Sequence, residues 1–276
     1  MKKLLAALAL LYCAFAVFLE ARNWHTHQEQ DTRKPAMPLP FTKYADMHSG
    51  YRDPDGARME AFLRCWKEQT LQWAEKNGKQ KEAAALAGRY QALDALDTLP
   101  PSAQNFWRAA GKVDWFGIYE LKYFGDTSWE RRLWQPSHIK PLSEYDPEGY
   151  KWYIAEGLHS PDSEYYQYHA HSIQGMRSSD FKRMLVYGYD FNTFYYGIVH
   201  GESSLDGEYQ SITIGHGDME RFKSFAHLLA NFYMQDYQQA YGHGPTRGHI
   251  YYFNGDWNKT CVPLLFDADE IASWRG

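Results

Sequence analysis

Apolar residues recur every three or four positions between residues 54 and 97, which is the spacing of one helix face. Asp53-Pro54 precedes the first run as a cap and a first-turn proline, and Asn77-Gly78 ends it. The pattern predicts a helical hairpin over residues 54–97, with its apolar faces packed in the core. These faces comprise Met59, Phe62, Leu63, Trp66, Thr70 and Trp73 in the first helix and Leu86, Tyr90, Leu93 and Leu96 in the second.

A further helix is predicted after residue 99, where Leu99-Pro100-Pro101 precedes Phe106-Trp107. Proline suits the first turn of a helix because its missing N–H has no intrahelical partner there. Gly111 is the expected end of this helix, since glycine readily adopts the left-handed conformation found after many helices.

Beyond Gly111, short apolar and aromatic runs alternate with turn residues, which is typical of strands. Strands or extended segments are predicted at residues 115–119, 139–142, 184–187, 194–199, 210–214, 250–253 and 261–266. Turns are expected at residues 188–192 and 203–207, a helix after Asp218, and a short acidic helix near the end of the chain. Because strands that follow one another through tight turns pair antiparallel, we predict an α+β fold, an antiparallel sheet flanked by helices.

The N-terminus has the layout of a secretory signal, in which Lys2-Lys3 precede an uncharged apolar run over residues 4–19. Ala14-Phe15-Ala16 offers a cleavage site, and the alternative is an uncleaved anchor, although the run is short for a membrane span. We predict a signal peptide or membrane anchor over residues 1–22 and a linker over residues 23–53. Both alternatives place the rest in the periplasm or on the inner membrane facing it, with membrane contact through residues 4–19 if uncleaved.

Cysteine content and charge narrow the class of protein. Apart from Cys13 in the N-terminal segment, the chain has Cys65 and Cys261, which permit one disulfide in an oxidising compartment or two buried thiols. The net charge of −5 and the lack of a Lys/Arg block argue against a nucleic-acid partner, which needs a concentrated basic face. Aromatic residues make up 17% of the chain, so we expect some of them at a surface after the core is filled.

Motifs for catalysis are few. The sequence has no Gly-x-Ser-x-Gly elbow and no His-Glu-x-x-His helix. The metal-like spacing His169-Ala170-His171 lacks the third ligand that zinc needs, for which Asp180, His200 and His216 are the candidates. We therefore expect no catalytic residues, no metal and no cofactor, and an exported metal-dependent hydrolase using the His-rich insert is the first alternative.

Four segments, in their order along the chain, resemble the SUKH superfamily and in particular its Smi/Knr branch. They are Leu99-Pro100-Pro101 with Phe106-Trp107, Ile139-x-Pro141-Leu142-Ser143-Glu144, Gly188-Tyr189-Asp190-Phe191-Asn192 and Phe222-x-Ser224-Phe225. The resemblance covers residues 98–240, and a C-terminal extension over residues 241–276 is expected to pack on this domain. It implies a sheet of about six strands flanked by helices, without catalytic residues. It also implies a bacterial immunity protein that neutralises a partner toxin of a polymorphic or contact-dependent secretion system.

An insertion after Tyr145 is rich in tyrosine, whose large ring and polar tip suit protein interfaces. We predict that residues 150–168 and two acidic turn residues form the partner surface, while core packing is the other role open to these aromatics. The predicted surface consists of Trp152, Tyr153, Asp162, Glu164, Tyr165, Tyr166, Tyr168, Glu202 and Asp206. The predicted function is non-catalytic binding of a toxin in the cell envelope, and a membrane-tethered structural or regulatory envelope protein is the second alternative.

Overall fold

The computed structural model describes residues 44–90, 97–126, 132–133, 136–156, 178–190, 194–215, 218–241 and 256–274. The predicted signal or anchor, residues 23–43 of the predicted linker and the predicted strand at residues 250–253 lie outside the described residues. All described residues belong to one compact unit within Phe41–Gly276. None of their helices has the length and apolarity that crossing a membrane requires.

Helices and strands are both present in these ranges, as the α+β prediction requires. The helices are α1 (Ala57–Lys76), α2 (Gln80–Leu86), α3 (Pro101–Val113), α4 (Ile118–Lys122), α5 (Leu142–Tyr145), α6 (Pro147–Glu156), α7 (Ser178–Arg183), α8 (Phe225–Tyr241), α9 (Val262–Leu265) and α10 (Ala268–Ser273). The strands are β1 (Arg132–Leu133), β2 (Lys140–Pro141), β3 (Met184–Asp190), β4 (Phe194–Ser203), β5 (Tyr209–Gly215) and β6 (Asp218–Phe222). Single 3-10 turns lie at Tyr44–Asp46, Pro136–His138 and Trp257–Lys259.

The strands form an antiparallel sheet in the order β1-β3-β4-β5-β6, and β2 also pairs with β3. Strands β3 to β6 follow one another along the chain, so each neighbouring pair is a local antiparallel pair. Ile198 of β4 lies opposite Ser211 of β5, and Ile212 lies opposite Arg221 of β6. The predicted antiparallel sheet with flanking helices is therefore confirmed.

Alternate side chains of the strands enter two different hydrophobic clusters, because successive residues of a strand point to opposite faces. Tyr187 and Ile198 join the larger cluster, which contains aromatic residues of α1, α3 and α8. Val186 and Val199 join the smaller cluster, which contains Phe181 of α7. Hydrophobic side chains therefore cover both faces of the sheet, and many of them are aromatic.

The type of element was predicted wrongly in three places. Helix α4 begins at Ile118, within the strand predicted at residues 115–119, and α9 lies within the strand predicted at residues 261–266. Residues 218–222 form β6, where the helix was expected to begin. The carboxylates of Asp236 and Glu120 accept N–H groups at the start of α4, which stabilises a helix there. Pro263 lies in the first turn of α9 and cannot donate to a strand ladder. Pairing with β5 extends residues 218–222, so α8 starts only at Phe225.

Helix α3 begins at Pro101 as predicted but continues through Gly111 to Val113. Its C-cap is Asp114, which has a φ of 52° and is the one non-glycine residue with positive φ in the described ranges. Aspartate tolerates this conformation better than most residues, and its carboxylate accepts hydrogen bonds from Lys67 Nζ and the Gly88 N–H. These tertiary contacts, rather than glycine, end the helix.

A disulfide joins Cys65 of α1 to Cys261 just before α9, which decides between the two states that the sequence allowed. The segment that follows packs on α1, and Phe266 and Trp274 enter the larger core cluster. The short acidic helix predicted near the C-terminus is present as α10. The described residues from 256 to 274 therefore share the core of α1, α3, α8 and the sheet.

Candidate functional site

The structure places the predicted partner-surface residues in different environments. Tyr153 on α6 is half-buried, and its ring stacks on Phe181 with centroids 5.0 Å apart, so burial raises the pKa of its phenol. Trp152 is on the same helix, but its side chain is outside the described part of the chain. Glu202, at the end of β4, pairs with Arg183 at 3.2 Å. Asp162, Glu164, Tyr165, Tyr166 and Tyr168 lie outside the described residues.

Asp206 lies in the turn between β4 and β5, and its carboxylate holds that turn against the segment before α1. Its oxygens accept the Ser49 N–H at 3.0 Å, the Ser49 hydroxyl at 2.8 Å and the Ser204 hydroxyl at 2.5 Å. Partial burial acts to raise the pKa of Asp206, but these hydrogen bonds outweigh it and hold the pKa below its usual value. The Leu205 N–H also donates to Met47 O at 2.9 Å. Hydrogen bonds of the Asp206 side chain and of the Leu205 backbone therefore both hold the turn against residues 47–49.

Leu205 occupies the tip of this fixed turn. Its side chain is 61% exposed, the highest value among the exposed large hydrophobic residues of the described ranges. An exposed leucine on a turn with few internal restraints would lose conformational freedom on binding, whereas this turn is already ordered. The arrangement presents one apolar side chain on a backbone that hydrogen bonds hold in place.

A groove of 480 Å³ lies beside the turn, at the N-terminal end of α3. Its rim carries two exposed guanidinium groups, those of Arg52 and Arg108. The remaining lining residues are Tyr51, Asp53, Pro54, Pro101, Gln104, Asn105, Asp206 and Glu208. The groove thus joins the predicted helix of the Leu-Pro-Pro segment to the predicted acidic turn.

The buried polar groups of the groove bind one another and the backbone. Asp53 accepts the N–H groups of Arg58 at 3.1 Å and Met59 at 2.8 Å, which caps α1. The Asn105 amide donates to Tyr51 Oη at 3.1 Å and to Asp53 O at 2.7 Å, and Tyr51 donates to Asp53. Burial, the largest effect, raises the pKa of Tyr51. This network gives the groove a rigid wall.

Glu208 is fully buried under the turn and caps α3. Its two oxygens bind the Ser102 N–H at 2.6 Å and the Ser102 hydroxyl at 2.5 Å. Burial raises the pKa of Glu208 to about 8, although the hydrogen bonds from Ser102 act in the opposite direction. The folded protein therefore binds a proton at this carboxyl at neutral pH, which the unfolded chain does not.

We expect Glu208→Gln to change the pH dependence of stability. The folded protein binds one more proton than the unfolded chain between pH 4.5 and about 8, so wild-type stability decreases as pH rises through that window. The glutamine variant does not bind this proton, so relative to wild type it should gain about 3–4 kcal/mol of stability between pH 5 and pH 8. Urea unfolding at several pH values measures the effect.

Glu202→Gln is the matched control, because Glu202 is a partly exposed acid at the other side of the same turn. Because the Glu202→Gln variant retains Glu208, its stability should still decrease between pH 5 and pH 8. Parallel profiles for wild type and Glu208→Gln would show that Glu208 does not hold a proton in the folded state.

A second buried cluster contains the residue types of a hydrolase triad. Ser224 Oγ lies 2.8 Å from His227 Nδ1, and His227 Nε2 lies 3.0 Å from Glu270 Oε1. Ser224 and His227 are fully buried, and neither groove described in this structure is lined by them. Ser224 also accepts the His227 N–H at 3.4 Å at the start of α8. A nucleophile needs access to its substrate, and these contacts instead join α10 to α8.

Charge and burial oppose each other in this cluster. Burial lowers the pKa of His227. Burial acts to raise the pKa of Glu270, but its contacts with His227, Lys223 and Trp274 hold that pKa at about 2. Glu270 is therefore an anionic acceptor at the centre of the contact.

The histidines considered for a metal site do not converge in the part of the chain that is described. His200 is exposed and its ring packs on Tyr209, while Asp180 pairs with Arg183. His169, His171 and His216 lie outside the described residues. Within the described ranges, no group of three or more His, Cys, Asp or Glu side chains is arranged to hold a metal ion.

The sequence predicted the turn at residues 203–207 and the acid Asp206, but missed Leu205, the two rim arginines and Glu208. A leucine between Ser-Ser and Asp-Gly was the one local signal for an apolar tip. The approach of Arg52 and Arg108, and the burial of Glu208, depend on residues far away in the chain. Comparisons with protein-family models, curated proteins and solved structures found no match for this chain.

Proposed function

We propose that the chain is an exported, non-catalytic protein-binding module that neutralises a partner toxin in the cell envelope, as the resemblance to SUKH immunity proteins implies. Its contact is the turn surface, which we define as Leu205, Asp206, Arg52, Arg108 and Pro54. The observation that carries the proposal is the exposed Leu205 on a turn held by side-chain hydrogen bonds. Pre-organised apolar anchors lower the entropic cost of association.

The charges around Leu205 suit a protein partner. Arginine is enriched at the centres of protein interfaces, where its planar group combines stacking with several hydrogen bonds. Arg52 and Arg108 are both exposed at the groove rim. The acids of the groove are buried or partly buried and accept internal hydrogen bonds. The charged groups that the groove exposes to a partner are therefore Arg52 and Arg108, although Arg108 also donates to Gln104 at 3.0 Å.

The disulfide supports the envelope as the place of action. Disulfides form and persist in oxidising compartments such as the bacterial periplasm and are rare in the cytosol. The Cys65–Cys261 bond therefore supports export, and this support does not depend on the apolar N-terminal run.

We expect Leu205→Asp to abolish partner capture and protection of cells. Loss of a central apolar anchor typically raises Kd by about 10–100-fold, and a new charge adds a desolvation cost. The oxidised full chain is used to capture envelope proteins, and the captured protein is then expressed in cells with or without each variant. We expect the captured protein to arrest growth, wild type to relieve this arrest, and Leu205→Asp not to relieve it.

Leu71→Asp is the control, since Leu71 is also an exposed leucine, at 43%, but lies on α1. This variant should capture the same protein and protect cells as wild type does. Equal capture and protection by Leu205→Asp would overturn the turn surface as the contact. A captured protein that is harmless to cells would overturn the neutralising function.

A further inference from the structure

Residues 256–274, here called the C-terminal strap, are tied to α1 by covalent and polar contacts. Cys261 forms the disulfide with Cys65, across a sequence separation of 196 residues. The guanidinium of Arg58 donates to Asp267 at 2.7 Å and to Leu264 O at 3.2 Å. One end of the strap is therefore held by a bond that reduction breaks.

The other end of the strap is held by Glu270. Its Oε1 atom accepts from Lys223 Nζ at 3.0 Å and from Trp274 Nε1 at 2.9 Å, and contacts His227 Nε2 at 3.0 Å. The His227 ring also packs on Phe266, with centroids 4.5 Å apart. This end contacts the start of α8 by charge, hydrogen bonds and ring packing.

Glu270 also touches the segment that holds the turn surface. A Cβ atom on Gly50 would lie only 2.1 Å from Glu270 Oε2, and Gly50 has a φ of +88°, so glycine permits this approach. The preceding residue, Ser49, donates both its N–H and its hydroxyl to Asp206. A continuous path of contacts therefore runs from Glu270 through Gly50 and Ser49 to the turn.

We propose that the C-terminal strap is a redox-dependent brace of the turn surface, so that Leu205 is held in its binding orientation only while Cys65 and Cys261 are joined. Breaking the disulfide frees the strap from α1, Glu270 leaves Gly50, and the Ser49 contact with Asp206 loses its support. The inference rests on the proposed function, because it names the condition under which that surface is ordered. Binding is then confined to an oxidising compartment.

The disulfide is open to a reductant. Cys65 is partly exposed and lines a groove of 430 Å³ with Arg64, Glu68 and Leu264. A thiolate of a dithiol attacks one sulfur to form a mixed disulfide, and its second thiol then displaces the cysteine. Two electrons and two protons pass to the protein, which gains two thiols, while the dithiol becomes a disulfide.

Amide hydrogen exchange of the full chain, oxidised and after dithiol treatment, tests the brace without any partner. We expect reduction to speed exchange at least tenfold at Leu205 and in the strap, by local opening, at exchange times at which Ile198 and Ile212 of the sheet have not yet exchanged. Faster exchange in the strap alone overturns the brace. Unchanged exchange everywhere, or exchange at Leu205 only as fast as in the sheet, also overturns it.

Glu270→Ala tests the path with the disulfide intact. The variant should speed exchange at Leu205 at least tenfold, and its cysteines should stay joined, as shown by the mass of the linked peptides. Asp269→Ala, which removes an exposed acid from the same helix, should leave exchange at Leu205 unchanged. A Glu270→Ala protein with wild-type exchange at Leu205 contradicts the path through Gly50.

These readouts separate the brace from the proposed function. Exchange at Leu205 is measured without a partner, so a confirmed redox response with no toxin capture would contradict only the proposed function. Capture that the Leu205→Asp change abolishes and reduction leaves intact would contradict only the brace.

Discussion

The Asp236→Ala protein should lose about 3–5 kcal/mol of its free energy of unfolding, the largest change we expect from one substitution. The buried Asp236 carboxylate accepts Trp66 Nε1–H at 2.9 Å, the Ile118 N–H at 2.6 Å and the Tyr119 N–H at 3.1 Å. Alanine leaves these three donors buried without this acceptor. Guanidinium unfolding of the oxidised protein at pH 7 measures the loss.

Two variants make this prediction specific. Asp236→Asn keeps the volume and one acceptor oxygen, so its loss should lie between those of wild type and Asp236→Ala. Asp269→Ala removes an exposed acid and should stay within about 0.5 kcal/mol of wild type. An Asp236→Ala protein as stable as Asp269→Ala would mean that this carboxylate does not hold the start of α4.

Replacing both Cys65 and Cys261 by serine should lower the free energy of unfolding by about 3–5 kcal/mol. The disulfide joins positions 196 residues apart, so its loss frees a very large loop in the unfolded chain. Serine is close to cysteine in size, so little of the loss should come from packing. Unfolding by guanidinium with and without dithiol measures the effect.

The dithiol-treated wild type provides the internal control for this experiment. It should unfold at the same denaturant concentration as the double serine variant, and dithiol should leave that variant unchanged. Equal stability of oxidised and reduced wild type would contradict a stabilising bond between these cysteines.

The central strands could be predicted from the sequence because their signals are local. Short apolar, aromatic and β-branched runs at residues 184–187, 194–199 and 210–214, separated by turn residues, predict strands that pair with their neighbours along the chain. The structure places β3, β4 and β5 over these segments. The predicted fold class followed from this order of strands.

The segments that were predicted wrongly depend on distant partners. Residues 115–119 are apolar and aromatic, as in a strand, but Asp236 lies on α8 and accepts the N–H groups of Ile118 and Tyr119. Residues 218–222 lie next to an amphipathic helix but complete the edge of the sheet beside β5. Local pattern and tertiary pairing compete at both places, and the tertiary hydrogen bonds win.

The candidate site was only partly visible in the sequence. Asp206 and the turn around it carry a local signature, Asp-Gly after two serines. Glu208 carries none, because its burial and its bonds to Ser102 arise from a contact between residues 106 positions apart. The partners of Asp206 likewise come from Ser49, 157 positions away.

The amino-acid pattern alone was enough for the α+β class, the Leu-Pro-Pro helix, the three central strands and the turn before β5, because periodicity and turn chemistry act over a few residues. The pairing of Cys65 with Cys261, the contact of Glu270 with Gly50 and the exposure of Leu205 on a fixed turn required the folded chain. These features join segments far apart in sequence. Their energies come from burial and hydrogen bonds that do not exist until the core has formed.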